Sequence, residues 1–306
     1  MAKLRVLVQR RKAVRNIRKI TRTMELIAGT RFRRALDRAI AARDYAYSIN
    51  EIAADLAKNV TEVSHPLLIQ RNPVKNSLLL IICSNRGLCG GYNASILREA
   101  TQHLKEFQND QQTMRLDLSG RRAINFFKSQ KVSVRQTYTQ FEDKPTYAQV
   151  EQLAEDFIRM YAIGEVDRIE VAYMRFYSLS RQRPVIETLL PFTAEEVSKG
   201  GGTTAVSSNA TTATSISKSP SADYDFLPSA SEILAEIVPA ACKFKLFKCY
   251  LDAAVSEQIA RRIAMKAATE NAADLIKDLS RQYNRARQAN ITREISELIG
   301  GAEALK

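Results

Sequence analysis

The chain has 306 residues, of which 45% are apolar, and carries a formal net charge of +13 with no tryptophan; that length suits one or two domains with their own cores. The longest apolar run, Leu78 to Cys83, is six residues. A membrane-spanning helix needs about 20, and MAKLRVLVQRRKAV lacks the apolar stretch of a secretory signal, so the expected address is cytoplasmic.

The first 40 residues hold 13 Lys and Arg against two acids, Glu25 and Asp37. A segment this basic calls for a negatively charged partner: nucleic acid, anionic lipid or an acidic protein surface. Before Pro66 the only helix-weakening residue is Gly29. Apolar or small residues recur every seven positions at Leu7, Val14, Thr21, Ala28, Ala35, Ala42, Ile49 and Leu56, the pattern of a coiled-coil seam. A second series, Arg10, Ile17, Met24, Arg31, Arg38, Tyr45, Ile52 and Asn59, is broken by three arginines. The spacing predicts one helix about 90 Å long, buried along one stripe and basic beside it.

The middle alternates strands and helices. Strands are expected at 77–83, 115–119, 132–138, 166–176 and 185–190, with helices at 94–108, 120–129 and 147–162. That order implies a mostly parallel sheet with helices on its faces. After the first strand comes SNRGLCGGYN, residues 84–93, placed where many α/β proteins hold a phosphate. The glycines do not fit. A dinucleotide fingerprint is G-x-G-x-x-G with an acid about 20 residues on, and a P-loop ends Gly-Lys-Ser/Thr. Here Gly87, Gly90 and Gly91 are spaced otherwise, Tyr92 and Asn93 follow, and Ser119 and Gly120 stand where the acid would be. A tight turn is expected instead, with Gly87, Gly90 and Gly91 supplying positive φ and Asn93 capping the next helix. No cofactor is expected.

Residues 198–222 are rich in Ser, Thr, Gly and Ala and almost uncharged, which reads as a flexible surface loop. From Asp252 to Ile299 there is neither Gly nor Pro. Met265, Ala268, Ala272, Leu275, Leu279, Ala286 and Ala289 form a second, alanine-rich seam. Pro239 is expected to bend this helix near its start, and Gly300 and Gly301 to stop it. Cys242 and Cys249 lie about 10 Å apart along it, too far to bridge, and Cys83 and Cys89 flank the turn; all four are expected as free thiols. With only His65 and His103, no Cys/His cluster has metal-ligand spacing, and no paired acid and base or nucleophile constellation appears. Two end helices that need each other thus carry an inserted α/β domain: an N-terminal coiled-coil helix, 1–65; a Rossmann-like domain, 66–228; and a C-terminal coiled-coil helix, 229–306.

Three stretches resemble one family. SNRGLCGGYN is similar to the signature turn S-D-R-G-L-C-G-G-x-N of the gamma subunits of F-type ATP synthases. VRNIRKITRTMELIAGTRFRRA, residues 14–35, resembles their N-terminal helix. The run from Ser256 to Ala302 resembles their C-terminal helix almost throughout. The likeness is weak between about 100 and 165 and absent in 198–222. It implies a long antiparallel coiled coil carrying a Rossmann-like domain that binds no nucleotide, and a rotor shaft without catalytic residues. The shaft would stand in a ring of three alpha and three beta subunits and rest on the c-subunit ring beside epsilon. It would couple proton flow to ATP synthesis at the cytoplasmic face of a bacterial inner membrane, touching the membrane only through the complex.

The resemblance also implies contacts to the beta subunits from Arg22, Arg31, Arg33, Arg34 and Arg38, from Met24, and from Arg287, Gln288 and Thr292 in ARQANIT. A solvated charged face serves equally for any one arginine, and a seam position for Met24. Some residues depart from the family pattern: Thr23 and Gly29 replace usual alanines, and CKFKLFKCY, residues 242–250, is more basic. Gly29 would permit closer approach of the partner helix. Plastid members carry a dithiol in an inserted segment; the insertion here has no cysteine, so no thiol switch is expected. The rival readings are a nucleic-acid-binding basic helix, which lacks a base-reading module, a stand-alone α/β enzyme, and a plain coiled-coil scaffold.

Overall fold

The structure, a computed structural model, describes residues 2–59, 65–109, 113–141, 144–192 and 230–303. The serine-rich stretch 198–222 and the side chains of Tyr45, Ile49, Ile52, Leu56 and Asn59 lie outside the described residues. In chain order the elements are α1 (Ala2–Asn59), β1 (Asn76–Ile82), α2 (Tyr92–Asn109), β2 (Thr113–Ser119), α3 (Arg121–Ser129), β3 (Gln136–Tyr138), α4 (Tyr147–Ile163), β4 (Arg168–Ser178), β5 (Arg181–Leu190) and α5 (Ala230–Glu303). They form two compact units: 1–30 with 260–306, and 31–259. Each long helix contributes to both.

In the first unit α1 and α5 pair antiparallel. Arg11 stacks over the Tyr283 ring at 4.9 Å, Thr21 meets Thr269 at 2.9 Å, and Gly29 lies beside Arg262. As one number rises the other falls. Ala28 is buried from α1, and Met265 and Ala272 from α5, so small side chains let the helices approach. The second row of the α5 seam differs from expectation. Half-buried or buried positions include Met265, Ala268, Thr269, Ala272, Ile276, Leu279, Tyr283, Ala286 and Asn290, whereas Leu275 and Ala289 are exposed. Hydropathy favoured Leu and Ala, but the facing helix offers polar partners to Thr269 and Tyr283 instead.

In the second unit the sheet order is β3-β2-β1-β4-β5. The pairs β1·β2, β1·β4 and β2·β3 are parallel, and β4·β5 is antiparallel. The third expected strand, 132–138, shrinks to Gln136–Tyr138, because the chain from Lys131, at φ 56, turns before joining the edge. Strand β1 is buried on both faces, as a central parallel strand must be. Leu78, Leu80 and Ile82 share a core with Val150, Leu153 and Phe157 of α4 and with Val238, Cys242, Leu246, Cys249 and Ala253 of α5. Alternation sends Leu79 and Ile81 to the opposite face, the side of α2 with its buried Ile96, Leu97 and Ala100. Glycine ends α4 at Gly164, in the left-handed region at φ 88, with its N–H bonded to Tyr161 O at 3.1 Å.

Two expectations for α5 and α1 need correction. The helix α5, with Pro239 inside it, does not stop at Gly300 and Gly301 but passes them to end at Glu303. Glycine weakens a helix by about 1 kcal/mol but does not forbid it, and neither residue has a neighbour within 4 Å to impose another conformation. Gly29 meets only the flexible side chain of Arg262, at 3.8 Å from where a Cβ would stand; it grants no backbone contact that alanine would block.

Candidate functional site: the glycine turn and the two-helix surface

The glycine turn follows β1 at the point where the sheet order reverses between β1 and β4, the usual ligand crevice of a doubly wound sheet. A phosphate there would need free backbone N–H groups. Around the turn, four such groups are taken by protein acceptors. Ser84 N–H donates to Asn93 Oδ1 at 3.0 Å, Arg121 N–H to Asn85 Oδ1 at 3.0 Å, Arg122 N–H to Ser84 O at 3.2 Å and Gly120 N–H to Tyr138 O at 2.9 Å. The Asn85 amide also donates to Thr139 O and Phe141 O at 3.2 and 3.1 Å. The loop therefore stitches β1 to α3 and to the segment after β3.

Asn93 corrects the expectation of an N-cap. It lies inside α2, which starts at Tyr92, and its amide holds the start of the turn instead: Nδ2 donates to Ser84 Oγ at 2.8 Å and to Cys89 Sγ at 3.1 Å. Among the turn glycines only Gly90 has positive φ, at 57°, and Leu88 shares that region at 65°. A Cβ at Gly87 would stand 2.2 Å from the Arg122 guanidinium, the far end of a flexible side chain that can shift aside. Gly120, where a dinucleotide site would want its acid, has φ 97 and would drive a Cβ to 2.1 Å from Cys83 O.

Titratable groups in this unit are structural. Burial alone would raise Asp167, but N–H groups of Asn76 and Lys75, with Arg71 alongside, hold it below the usual carboxylate range. Burial works against Glu187 in the same way and is outweighed by Lys245 and Arg175 and by the Tyr173 hydroxyl, which donates at 2.7 Å. Asp252 is pushed up to about 7 by burial, with Lys248 and Arg175 opposing and Glu187 reinforcing the rise. The four cysteines are buried and unbridged. Burial pushes Cys242 up to about 12, and Cys83 and Cys249 also upward, far from reactive thiolates. Among the described residues no group of His, Cys, Asp and Glu could hold a metal ion, and no helix is long and apolar enough to cross a membrane.

The nine residues expected to meet a partner fall in separate places. In the first unit Arg22 forks Nη1 onto both Glu25 oxygens at 2.9 Å, and Met24 is half-buried. Arg287, Gln288 and Thr292 are exposed, beyond the level of Arg11 and Tyr283 and thus several turns from Met24. In the second unit Arg33 and Arg34 are exposed, Arg31 and Arg38 half-buried, and Arg38 Nε donates to Arg34 O at 2.9 Å. Spacing placed Thr21 in the seam but did not single out Arg11, Thr269 or Tyr283; only antiparallel register brings the four together in pairs.

What this fold and these sites define is a class: an antiparallel pair of terminal helices joined to an α/β domain whose glycine turn is tied to its neighbouring elements by hydrogen bonds. The family model described as ATP synthase matches residues 3–305. The ATP synthase gamma chain of Rhodopirellula baltica is 50% identical over 306 residues, covering 100% of both chains. That of Leptospira biflexa is 36% identical over 305 residues, again covering 100% of both. Among solved structures, a chain of the Euglena gracilis mitochondrial ATP synthase rotor superposes with a TM-score of 0.62 at 16% identity, over 95% of this chain and 99% of that one. This chain belongs to the ATP synthase gamma chain family, and its fold is that of the rotor. As a gamma chain it is a non-catalytic subunit.

Proposed function

We propose that the chain works as the central rotor shaft of an F-type ATP synthase, coupling proton flow through the membrane sector to ATP synthesis at an alpha/beta head. The observation that carries this reading is apolar surface with nothing on it. On α1, Ile17, Ile20, Leu26 and Ile27 point away from the seam and are exposed. Past the level of Tyr283 and Arg11, α1 has only Ala2–Arg10 left, whereas α5 runs on to Glu303, so its last turns extend beyond the end of α1. There Ile291, Ile295, Leu298 and Ile299 recur at helical spacing, with Leu298 74% exposed. A monomeric protein rarely exposes such a stripe; a shaft enclosed by other subunits covers it.

The partners are then three alpha and three beta subunits around the shaft, with the epsilon subunit and the c-subunit ring at the α/β end. Arg22, Met24, Arg31, Arg33, Arg34, Arg38, Arg287, Gln288 and Thr292 contact the beta subunits. Exposed charge pairs are each worth no more than about 1 kcal/mol, which suits a surface that must let go as it turns. The chain divides by role into an N-terminal helix, 1–65, an α/β body, 66–228, and a C-terminal helix, 229–306. It performs no bond chemistry. It transmits free energy because it contacts the beta subunits differently in their different states. Its place is the cytoplasmic face of a bacterial inner membrane, held there through the complex; the bacterial gamma chains it matches support that address.

The test is reconstitution. Mixed with its cognate alpha and beta subunits, the chain should give a complex that hydrolyses ATP and turns a probe attached to the α/β body. Deleting residues 290–306 should lower the torque or coupling while the α/β body stays folded by near-UV circular dichroism. A chain that leaves alpha and beta subunits unassembled at physiological salt, yet binds duplex DNA there, refutes the rotor reading.

A further inference from the structure

The hairpin β4–β5 concentrates positive charge on one face without need of it for folding. In its register Arg175 stands directly opposite Arg183, and like charges so placed destabilise a strand pair. Tyr177 lies between two guanidinium groups, Arg175 at 6.0 Å and Arg181 at 5.3 Å from its ring centre. Alternation puts Arg175, Tyr177, Arg181 and Arg183 on the same side. On this face Glu187 is already shared by Arg175 at 3.5 Å and Lys245 at 3.9 Å, and Asp252 of α5 also faces Arg175. Arg181 and Arg183 are exposed, and among the described residues no carboxylate pairs with either.

The face is also rigid. On the opposite side Phe176 anchors the hairpin in a cluster with Phe32, Ala35, Val255 and Ile259. At the tip Arg181 N–H donates to Ser178 Oγ at 3.1 Å, and the Gln182 amide donates to Ser178 O at 2.7 Å and Leu179 O at 3.0 Å. Leu179 is left projecting, 57% exposed. Strand β5 is the sheet edge, so among the described residues no further strand pairs beyond it.

We propose that this hairpin face is a docking site for a carboxylate-rich segment of another protein chain. Guanidinium forks match carboxylates two bonds at a time, the Tyr177 ring lies within cation–π range of two of them, and Leu179 offers an apolar contact at the rim. The charge is complementary to acidic protein rather than to a membrane: an apolar insertion belt is missing, and the arginines sit on one compact hairpin. This site is independent of the contacts assigned to α1 and to the end of α5.

A Leu179→Cys full-length chain, labelled with a benzophenone maleimide, tests it, since the four native thiols are buried. The probes are a fluorescent peptide of alternating Glu and Thr and its Gln–Thr counterpart. The acidic peptide should cross-link at least fivefold more than the neutral one, and Arg181→Gln with Arg183→Gln should remove that difference. Arg181→Glu with Arg183→Glu should transfer the preference to a Lys–Thr peptide, which shows that the hairpin still folds. An acidic-over-neutral preference that persists undiminished in the double Gln variant overturns the proposal. So does stronger cross-linking to phosphatidylglycerol vesicles or duplex DNA than to the acidic peptide, or a photoproduct formed only within this chain's own residues 193–229.

Discussion

At the scale of single residues, the glycines separate by what surrounds them. Gly120 lies in the left-handed region with Cys83 O where a side chain would go, so Gly120→Ala should cost more than about 2 kcal/mol, read as a lowered denaturation midpoint. Gly29 has room and helical neighbours, so Gly29→Ala should stabilise by about 1 kcal/mol in the same measurement. Asp252 gives a pH signature. Its carboxyl is raised in the folded chain from 3.8 to about 7, so between those values the folded state binds the extra proton and stability falls as pH rises. Asp252→Asn should flatten that slope and gain ~1–2 kcal/mol at pH 8, checked by urea melts from pH 4 to 8.

At the scale of elements, the pair of long helices carries one buried polar link. Thr21 is buried at a seam position, and Thr269 Oγ1 bonds both Thr21 Oγ1 and Met265 O. Each hydroxyl also has a carbonyl of its own helix, Arg18 O for Thr21 and Met265 O for Thr269, so the cross-helix bond favours the native register by a modest margin. Thr21→Val and Thr269→Val should each destabilise by about 1 kcal/mol and the double variant by less than their sum, a coupling of ~0.5–1.5 kcal/mol in a double-mutant cycle. The seven-residue repeat of α1 was readable because Ala28 and Ala35 are small at heptad spacing. The second row of α5 was not, since Leu275 is more apolar than Thr269 yet faces away. Strands β1, β2, β4 and β5 were legible from apolar runs; β3, three residues at an edge, carries too little pattern to bound.

At the scale of the whole molecule, charge and apolar surface point to assembly rather than chemistry. Neutralising Arg33, Arg34 and Arg38 to Gln should leave the thermal midpoint within a few degrees and the complex assembled. ATP-driven rotation should then slow by less than tenfold, in line with weak, exposed contacts of about 1 kcal/mol or less each. Native thiols should resist maleimide until the chain is denatured, because burial raises Cys83, Cys242 and Cys249 together; quantitative labelling of the native chain would contradict the packing around α5.

The amino-acid order alone determined that the two ends form long helices with complementary small-residue seams around an inserted α/β domain, because period and helix length are local properties of a chain. It also determined that SNRGLCGGYN lacks the residues of a nucleotide loop. Only the tertiary structure decided which row of α5 faces α1, that Asn93 ties the turn to Ser84 rather than capping a helix, and that Arg175 and Arg183 share one face of a hairpin. Those facts depend on register and on partners far apart in sequence, and no local pattern encodes the distance between two residues until the strands and helices between them have been laid side by side.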